Sequence, residues 1–191
     1  MKEIENVDVI YELNTGKLTG NEKEIETSYK KLGALKGIFK DEKAFNEMDQ
    51  DIIAYHVQTH KNEVTEGKDG GLFFGTSFVH PGKVGNEFFM TKGHFHKNID
   101  TAEYYWGITG EGLLLLEDQQ KNVRIEKVKP GSLHYIPGKV AHRLINTSNE
   151  LLTVGACWPS NAGHDYSINE KGGFSVRIID NNGKIEIIDN K

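Results

Sequence analysis

From residue 51 onward the chain is a series of short apolar or alternating segments, each separated from the next by glycine, proline, asparagine or aspartate. Short segments that are closely spaced and bounded by turn residues are typical of an all-β sandwich or barrel. The candidate strands are residues 52–59, 72–79, 87–92, 103–109, 112–117, 123–128, 133–136, 141–146, 151–158, 174–180 and 184–188. Residues 118–122 and 181–183 are predicted to form hairpin turns.

The first fifty residues lack this regular pattern. Residues 7–18 are predicted to be extended. Residues 22–35 begin with charged side chains and then place apolar ones at helical spacing, which predicts a helix. Residues 39–45 are predicted to form a second short helix, with Asp41 as its N-cap.

Chain length and charge limit the domain count and the classes of partner. At 191 residues the chain is long enough for one well-formed core, so we predict a single domain over residues 1–191. No linker separates residues 1–50, which we expect to form an arm packed on a barrel core of residues 51–191. The net charge of −5 and the lack of a basic block disfavour nucleic acid or an anionic membrane as partner.

Cysteine content and the N-terminus bear on the cellular compartment. Cys157 is the only cysteine, so an intrachain disulfide is impossible, which fits a reducing cytoplasm. Residues 1–6 lack the apolar region of a signal peptide, and no apolar run is long enough to span a membrane. We therefore expect a cytoplasmic protein that does not bind membranes.

Histidines with regular spacing provide the strongest chemical signal. His94 and His96 lie two residues apart, and Glu103 follows seven residues after the second. On a strand, residues i and i+2 project from the same face, so the two imidazoles can point at one ion. A further candidate, His142, follows later strand and turn signals. Imidazoles with a carboxylate are common ligands of Zn, Fe(II), Mn or Ni, so the sequence predicts a metal site.

Two blocks of sequence resemble the paired motifs of the cupins, small β-barrels that hold a metal inside the barrel. The positions that carry the resemblance are Gly93, His94, His96, Glu103 and Gly110 in the first block, and Pro130, Gly131, Pro137, His142 and Asn146 in the second. The resemblance implies an all-β cupin barrel (a double-stranded β-helix or jelly roll) with an N-terminal arm containing short helices. It also implies His94, His96, Glu103 and His142 as the metal ligands. The gap from His96 to Glu103 is longer than in the common motif, and Gly138 follows Pro137 directly.

Three further runs narrow the resemblance to one subgroup. Pro81-Gly82-Lys83-Val84-Gly85, Ala162-Gly163-His164-Asp165-Tyr166 and Leu35-Lys36-Gly37-Ile38-Phe39 look like the cupin-type glucose-6-phosphate isomerases of archaea and some bacteria. The resemblance covers nearly the whole chain. It implies a sugar phosphate substrate, a homodimer and one divalent metal per subunit, with Fe(II) expected first and Mn, Ni, Co or Zn compatible with the same ligands.

Aldose–ketose isomerisation moves a hydrogen between C1 and C2 of an open-chain sugar. A divalent ion can stabilise charge on O1 and O2, and the proton-transfer route also needs a base near C1 and C2. The resemblance implies that Glu103 is both a ligand and this base, with His164 or Tyr105 assisting proton movements or ring opening. Alternation along the strand directs Tyr105 into the barrel and Tyr104 outward. A hydride shift remains the alternative route.

The phosphate must be bound without a P-loop, since no such motif occurs here. Ser77, Thr91 and the backbone N–H of Gly93 are suitable neutral donors, and the resemblance adds Tyr166.

Lys83 and Arg143 are candidates for a cation beside the phosphate, whereas Lys92 and Lys97 are expected to be solvated. Gln58 and Trp158 stand where relatives often carry tyrosine, which leaves contacts from those two strands open.

Two other functions are compatible with the same metal motifs. The first is an Fe(II) cupin dioxygenase, which would use the same ligands and need no phosphate-binding hydroxyls. The second is a non-catalytic cupin that binds sugar phosphate without turnover. A fold by itself does not separate these functions, because unrelated activities occur on one fold.

Overall fold

Strands dominate the protein, as a computed structural model that describes residues 7–61 and 64–190 shows. Residues 1–6, where we expect no signal peptide, lie outside the described residues. The strands are β1 (Val9–Tyr11), β2 (Leu18–Gly20), β3 (Ile25–Lys31), β4 (Ile53–His60), β5 (Leu72–Val79), β6 (Lys83–Val84), β7 (Glu87–Phe88), β8 (Glu103–Thr109), β9 (Gly112–Asp118), β10 (Val123–Val128), β11 (Leu133–Ile136), β12 (Val140–Asn146), β13 (Leu152–Pro159), β14 (Val176–Asn181) and β15 (Lys184–Asp189). The helices are a 3-10 turn (Leu32–Leu35), α1 (Glu42–Glu47) and α2 (Ser167–Glu170).

Four antiparallel sheets are formed by the described strands. The largest has the order β11-β8-β13-β5-β4-β3, a second has the order β10-β9-β12, and a third has the order β15-β14-β7-β6. The fourth pairs β1 with β2. The predicted all-β class with a few short helices is confirmed. None of the helices in residues 7–61 and 64–190 is long and apolar enough to cross a membrane.

The helix predicted over residues 22–35 is wrong. Ile25–Lys31 is strand β3, which pairs along its whole length with β4, and only Leu32–Leu35 is helical. The edge of β4 offers seven residues a hydrogen-bonded ladder, and this tertiary pairing overrides a weak local helix preference. The arm therefore contributes a strand to the largest sheet. The N-cap prediction is confirmed, because the carboxylate of Asp41 accepts from the Ala44 N–H at 2.9 Å.

The core lies where the six-stranded and three-stranded sheets face each other. Leu114 and Leu144 are directly paired across β9 and β12, and both are fully buried. Ile136 and Val154 contribute equally buried side chains from the six-stranded sheet and belong to the same apolar cluster. Each such side chain contributes about 1.5–3 kcal/mol relative to exposure to water.

The β1–β2 hairpin of the arm packs on the outer face of the six-stranded sheet. The side-chain oxygen of Gln58 accepts from the Leu18 N–H at 2.9 Å, so Gln58 points away from the barrel interior and binds the arm. Tyr11 packs edge-on against Phe74, with ring centroids 4.9 Å apart. At Gly16 a Cβ would lie 2.7 Å from a methyl of Ile108, so the close approach of the arm requires glycine.

Candidate functional site

A cavity of about 290 Å³ lies inside the barrel, lined by the inner faces of β3, β4, β5, β8 and β13 and by the histidine-bearing segment before β8. All the residues predicted as metal ligands, catalytic groups or neutral phosphate donors line this cavity. They are Ser77, Thr91, Gly93, His94, His96, Glu103, Tyr105, His142, His164 and Tyr166. The fold therefore brings together positions that are up to 89 residues apart in the chain, between Ser77 and Tyr166.

Three histidines form a compact group of nitrogen donors. One ring nitrogen each from His94, His96 and His142 lies within 4.8 Å of the others. His94 is held by an antiparallel bridge to His142, in which its N–H donates to the His142 carbonyl at 3.3 Å and its carbonyl accepts at 3.0 Å. A backbone bridge therefore fixes the relative position of two of the three imidazoles.

The carboxylate of Glu103 lies beside two of these rings. Its Oε1 is 3.2 Å from Nε2 of His96 and 2.7 Å from Nε2 of His142. Glu103 opens β8 and points inward, as does Tyr105 two residues later, whereas Tyr104 is 48% exposed. Alternation along β8 is as predicted. The assignment of Glu103 as a fourth ligand stays a prediction.

Hydrogen bonds at the far side of two imidazoles orient their Nε2 atoms into the cavity. Nδ1 of His96 donates to the Thr101 carbonyl at 2.9 Å, and Nδ1 of His142 is directed at the Val140 carbonyl at 3.5 Å. Such bonds fix the tautomer and direction of a metal-binding histidine. The Nε2 of His142 is buried and has no hydrogen bond of acceptable geometry in the described residues, although Glu103 lies close. An unsatisfied buried imidazole nitrogen beside two others fits a divalent cation.

Charge states in the site follow from burial and from neighbours. Burial raises the pKa of Glu103, but the nearby His142 and His96 outweigh it and lower the pKa to about 2, so the group is a carboxylate. Burial lowers the pKa of His94 well below its ordinary value, and the neighbouring imidazoles add to this, which leaves the neutral form that binds metals. Burial and then the Glu103 charge raise the pKa of Tyr105 well above its ordinary value, so Tyr105 remains a hydroxyl donor.

A second segment brings His164 and Tyr166 to the rim of the cavity. Their rings stack at 5.9 Å with an interplanar angle of 6°, and the His164 ring lies 4.4 Å from that of His94. Asp165, between them, exchanges two backbone hydrogen bonds with Phe95 at 3.0 and 2.8 Å. Backbone pairing therefore holds this segment against the one that bears the histidines.

A β-bulge separates Thr91 from the histidines. Met90 pairs with Ile145 and His94 with His142, so three residues lie between the bridges on one side and two on the other. Gly93 adopts a left-handed φ of 71°, as glycine commonly does in a bulge. The strand predicted over residues 87–92 ends at Phe88, and beyond it only the isolated bridge at Met90 continues the pairing before the bulge.

The bulge leaves backbone donors for a ligand. In the part of the chain that the structure describes, the Gly93 N–H has no hydrogen-bond partner, and the Lys92 N–H reaches only the Tyr55 hydroxyl at 3.4 Å. Successive N–H groups around a left-handed residue form a concave site that attracts anions. The sequence signal for the bulge was a single glycine within an otherwise strand-like run.

The predicted cations do not reach the cavity. Lys83 pairs with Asp180 on the outside, and the guanidinium of Arg143 binds the Lys92 carbonyl and the Asn169 side chain behind the cavity wall. Both predictions of a phosphate-binding cation are therefore wrong. Lys83 lies outside the barrel, and Arg143 points to the opposite side of β12 from His142.

Lysines outside the predicted site line the cavity instead, and among them is Lys92, which we expected to be solvated. Lys30 on β3 lies directly opposite Tyr55 on β4 and makes no ion pair with the described residues. Lys92 places its ammonium 4.6 Å over the Tyr166 ring. Lys61 also lines the opening but is paired with Glu26 at 2.6 Å. Lys30 was missed because its segment was predicted to be a helix, in which alternate residues do not share a face.

Comparison with known proteins places the chain in a family. A family model described as glucose-6-phosphate isomerase (GPI) matches residues 29–190. A glucose-6-phosphate isomerase of Thermococcus onnurineus is 41% identical over 186 residues, covering 96% of this chain and 94% of that protein. The same enzyme of Thermococcus kodakarensis is 42% identical over 181 residues, covering 94% and 92%.

One solved structure is also similar to this chain, but with lower sequence identity. Oxalate decarboxylase from Bacillus subtilis aligns with a TM-score of 0.45 and 16% identity, over 58% of this chain and 26% of that one. The assignment of the family does not depend on it. On the family model and the relatives, the chain belongs to the cupin-type glucose-6-phosphate isomerases, which are aldose–ketose isomerases.

Proposed function

We propose that this protein interconverts glucose 6-phosphate and fructose 6-phosphate in a metal-dependent reaction inside the barrel cavity. The observation that carries the proposal is the cavity itself. It combines a group of three imidazoles and an ionised carboxylate with a wall of neutral and cationic hydrogen-bond donors that suit a phosphate. Relatives named glucose-6-phosphate isomerase support the choice of substrate.

His94, His96 and His142 would hold one divalent cation per subunit, with Glu103 as the fourth ligand. Fe(II) is our first choice, and Mn, Ni, Co or Zn also suit these ligands. When bound, the cation supplies Lewis-acid stabilisation of the negative charge that develops on O1 and O2 of the open-chain sugar.

Glu103 is the group to which we assign the proton transfer. In the aldose-to-ketose direction its carboxylate takes the proton from C2 and returns it to C1, while the O2 hydroxyl proton moves to O1. Tyr105, as a protonated hydroxyl two residues along β8, and His164 at the rim assist the transfer between oxygens and the opening of the ring. A proton route exchanges with solvent and a hydride shift does not, so incorporation of solvent deuterium at C1 or C2 separates the two.

The phosphate is bound at the wall formed by β3, β4, β5 and the bulge. The Thr91 hydroxyl oxygen accepts from the Leu144 N–H at 3.1 Å, which leaves the hydroxyl hydrogen free to donate into the cavity. Ser77 and the Gly93 N–H supply further neutral donors, and Tyr166 closes the rim. The charge is met by Lys30 and Lys92, which the cavity contains in place of the cations that the sequence suggested.

The active form that we propose is a cytoplasmic homodimer. The outer face of the six-stranded sheet exposes apolar side chains at its β11 edge, where Leu133 is 68% exposed, Tyr135 is 51% exposed and Tyr104 is 48% exposed. Apolar edges of this kind are commonly covered by another subunit. Sedimentation at micromolar concentration tests the stoichiometry.

The first test is conversion of fructose 6-phosphate to glucose 6-phosphate, followed with a coupled dehydrogenase. Wild-type protein is compared before treatment, after removal of metal with a chelator, and after return of each divalent ion; free fructose serves as the control substrate. Activity that disappears with the metal and returns with an ion supports the proposal. A folded protein without turnover under any of these conditions contradicts it, and oxygen uptake would then identify a dioxygenase.

A further inference from the structure

The bulge at Lys92 and Gly93 frees two backbone carbonyls from regular strand pairing. The residue opposite the bulge on β12 is Arg143, and its Nη2 donates to the Lys92 carbonyl at 2.6 Å. The side chain of Asn169, on α2, donates to the Gly93 carbonyl at 3.0 Å. Each freed carbonyl therefore has one dedicated side-chain donor.

The two donors are also linked to each other. The Asn169 side-chain oxygen accepts from Nη2 of Arg143 at 2.9 Å, so one guanidinium nitrogen serves both the bulge and the asparagine. Together Arg143 and Asn169 form a clamp, a name we use for these two side chains only. Charge-assisted hydrogen bonds of this kind are shorter and stronger than neutral ones.

Packing leaves the clamp little freedom. Arg143 is 6% exposed, and its guanidinium lies 4.5 Å over the Phe174 ring. A Cβ at position 93 would lie 2.7 Å from that ring and 2.9 Å from Nε of Arg143, so the clamp and ring press directly on the bulge. Burial lowers the pKa of Arg143 to about 10, and the guanidinium remains charged at neutral pH. Arg143 makes no ion pair with the residues that the structure describes, and burying such a cation costs free energy, which indicates a role beyond packing.

We propose that Arg143 and Asn169 are positioning residues that set the direction of the Gly93 N–H group toward the phosphate of the substrate. The Lys92 carbonyl and the Gly93 N–H belong to one peptide unit and point in opposite directions, so the bond from Arg143 to this carbonyl orients the Gly93 N–H. Asn169 holds Arg143 in place and fixes the next peptide unit through the Gly93 carbonyl. The clamp connects α2, near the C-terminus of the fold, to the phosphate end of the cavity.

Loss of the clamp should affect only the phosphate end of the cavity. His94 is held separately by both backbone bonds to His142, so loss of the clamp leaves the imidazole group in place. We therefore expect weaker binding of phosphate and a higher KM, with little change in kcat at saturating substrate. The identity of the ligand rests on the proposed function, whereas the effect of the clamp on the bulge does not.

The test uses three variants of the full-length protein. Asn169→Leu removes the side-chain bonds to Arg143 and Gly93, together with a longer one to the Tyr166 carbonyl at 3.4 Å. Asn169→Asp keeps the acceptor for Arg143 but loses the donor to Gly93. Because aspartate has nearly the shape of asparagine, this variant still tests the inference if Asn169→Leu fails to fold. Glu170→Gln, at the exposed next position of α2, is the matched control.

Two measurements are made on each variant. The first is hydrogen exchange of a peptide covering residues 89–97 in metal-free protein. The second is KM, kcat and the inhibition constant of inorganic phosphate for the metal-loaded enzyme. We expect Asn169→Leu to exchange about tenfold faster in this peptide and to raise KM and the phosphate inhibition constant by about tenfold, the factor that corresponds to 1.4 kcal/mol.

Asn169→Asp should shift the same three quantities in the same direction by a smaller factor, kcat should stay within about threefold, and Glu170→Gln should match wild type. If both Asn169 variants have the same exchange rate, KM and phosphate inhibition constant as wild type, the inference is wrong, even if their melting temperatures fall. If the Asn169 variants exchange faster but phosphate does not inhibit the wild-type enzyme, the role of the clamp stands and the proposed phosphate site is wrong.

Discussion

Glu103 shows how a buried carboxylate remains available for chemistry. It is only 5% exposed, and burial by itself favours its protonated form. The imidazoles of His96 and His142, at 3.2 and 2.7 Å, reverse that preference. The same two contacts place the carboxylate beside the imidazole group, where the proposed function requires it to serve both the ion and the substrate.

Replacing this carboxylate should separate proton transfer from folding. We expect Glu103→Gln to lower kcat by about 10²- to 10⁴-fold, the usual contribution of a general acid or base. The amide has nearly the same shape, so the melting temperature of the metal-free protein should change little. Glu111→Gln, at a surface ion pair with Lys127, is the control. The coupled assay measures kcat, and a Glu103→Gln variant that keeps more than about a tenth of wild-type kcat contradicts the assigned role.

Lys30 and Lys31 offer a matched pair on neighbouring positions of β3. Lys30 lines the cavity, whereas Lys31 points outward and pairs with Asp51 at 2.8 Å. We expect Lys30→Met to raise KM for fructose 6-phosphate about tenfold, because a charge-assisted hydrogen bond contributes about 1.5–3 kcal/mol. Lys31→Met should leave KM unchanged. Equal effects of the two substitutions would show that general charge, and not the position of Lys30, is responsible.

At the scale of elements, β3 joins the arm to the candidate site. It is the edge strand of the six-stranded sheet, and through Lys30 it contributes a wall of the cavity. The β1–β2 hairpin that precedes it lies on the opposite, outer face, where Gln58 holds it. One stretch of chain thus covers the sheet on one side and completes the cavity on the other.

Loosening the hairpin should affect the arm and leave catalysis intact. Gln58→Leu removes the acceptor of the Leu18 N–H, a loss of about 1 kcal/mol. We expect tryptic cleavage after Lys17 to become about fivefold faster, the factor that this free energy corresponds to. The kcat should match wild type because Gln58 faces away from the cavity. Gln120→Leu, in the exposed β9–β10 turn, is the control, and unchanged cleavage in Gln58→Leu would contradict the role of this bond.

At the scale of the whole molecule, the imidazole group joins segments from different parts of the fold. His94 and His96 precede β8, whereas His142 lies on β12 in the three-stranded sheet. An ion bound by all three links these elements in the folded state alone. Binding only to the folded state raises its stability by mass action.

Removal of the ion should therefore lower the melting temperature. At a free ion concentration of about 100 times the dissociation constant the stabilisation is about 2.7 kcal/mol. For a chain of this size that corresponds to about 5–10 °C. Calorimetry of wild-type protein with and without a chelator measures the shift. His96→Gln, which lacks one ligand, should show a much smaller shift, and a chelator without effect on wild type would contradict the metal site.

Local spacing was sufficient to predict much of this protein. The bounds of β5, β8, β10 and β11 follow from alternation and turn residues, and they agree with the structure. The facing of Tyr105 follows from its distance to Glu103 along one strand. These features depend on residues a few positions apart, whose geometry a strand determines by itself.

Features that depend on a distant partner were decided only by the tertiary structure. Ile25–Lys31 becomes a strand because β4 supplies its ladder, and this places Lys30 in the cavity. The bulge at Gly93 exists because β12, about fifty residues later, has one residue fewer between the same two bridges. Arg143 turns to the freed carbonyls and not to the phosphate side for the same reason. A sequence determines the side-chain period of each strand, but the partner strand determines register, and register decides which groups meet.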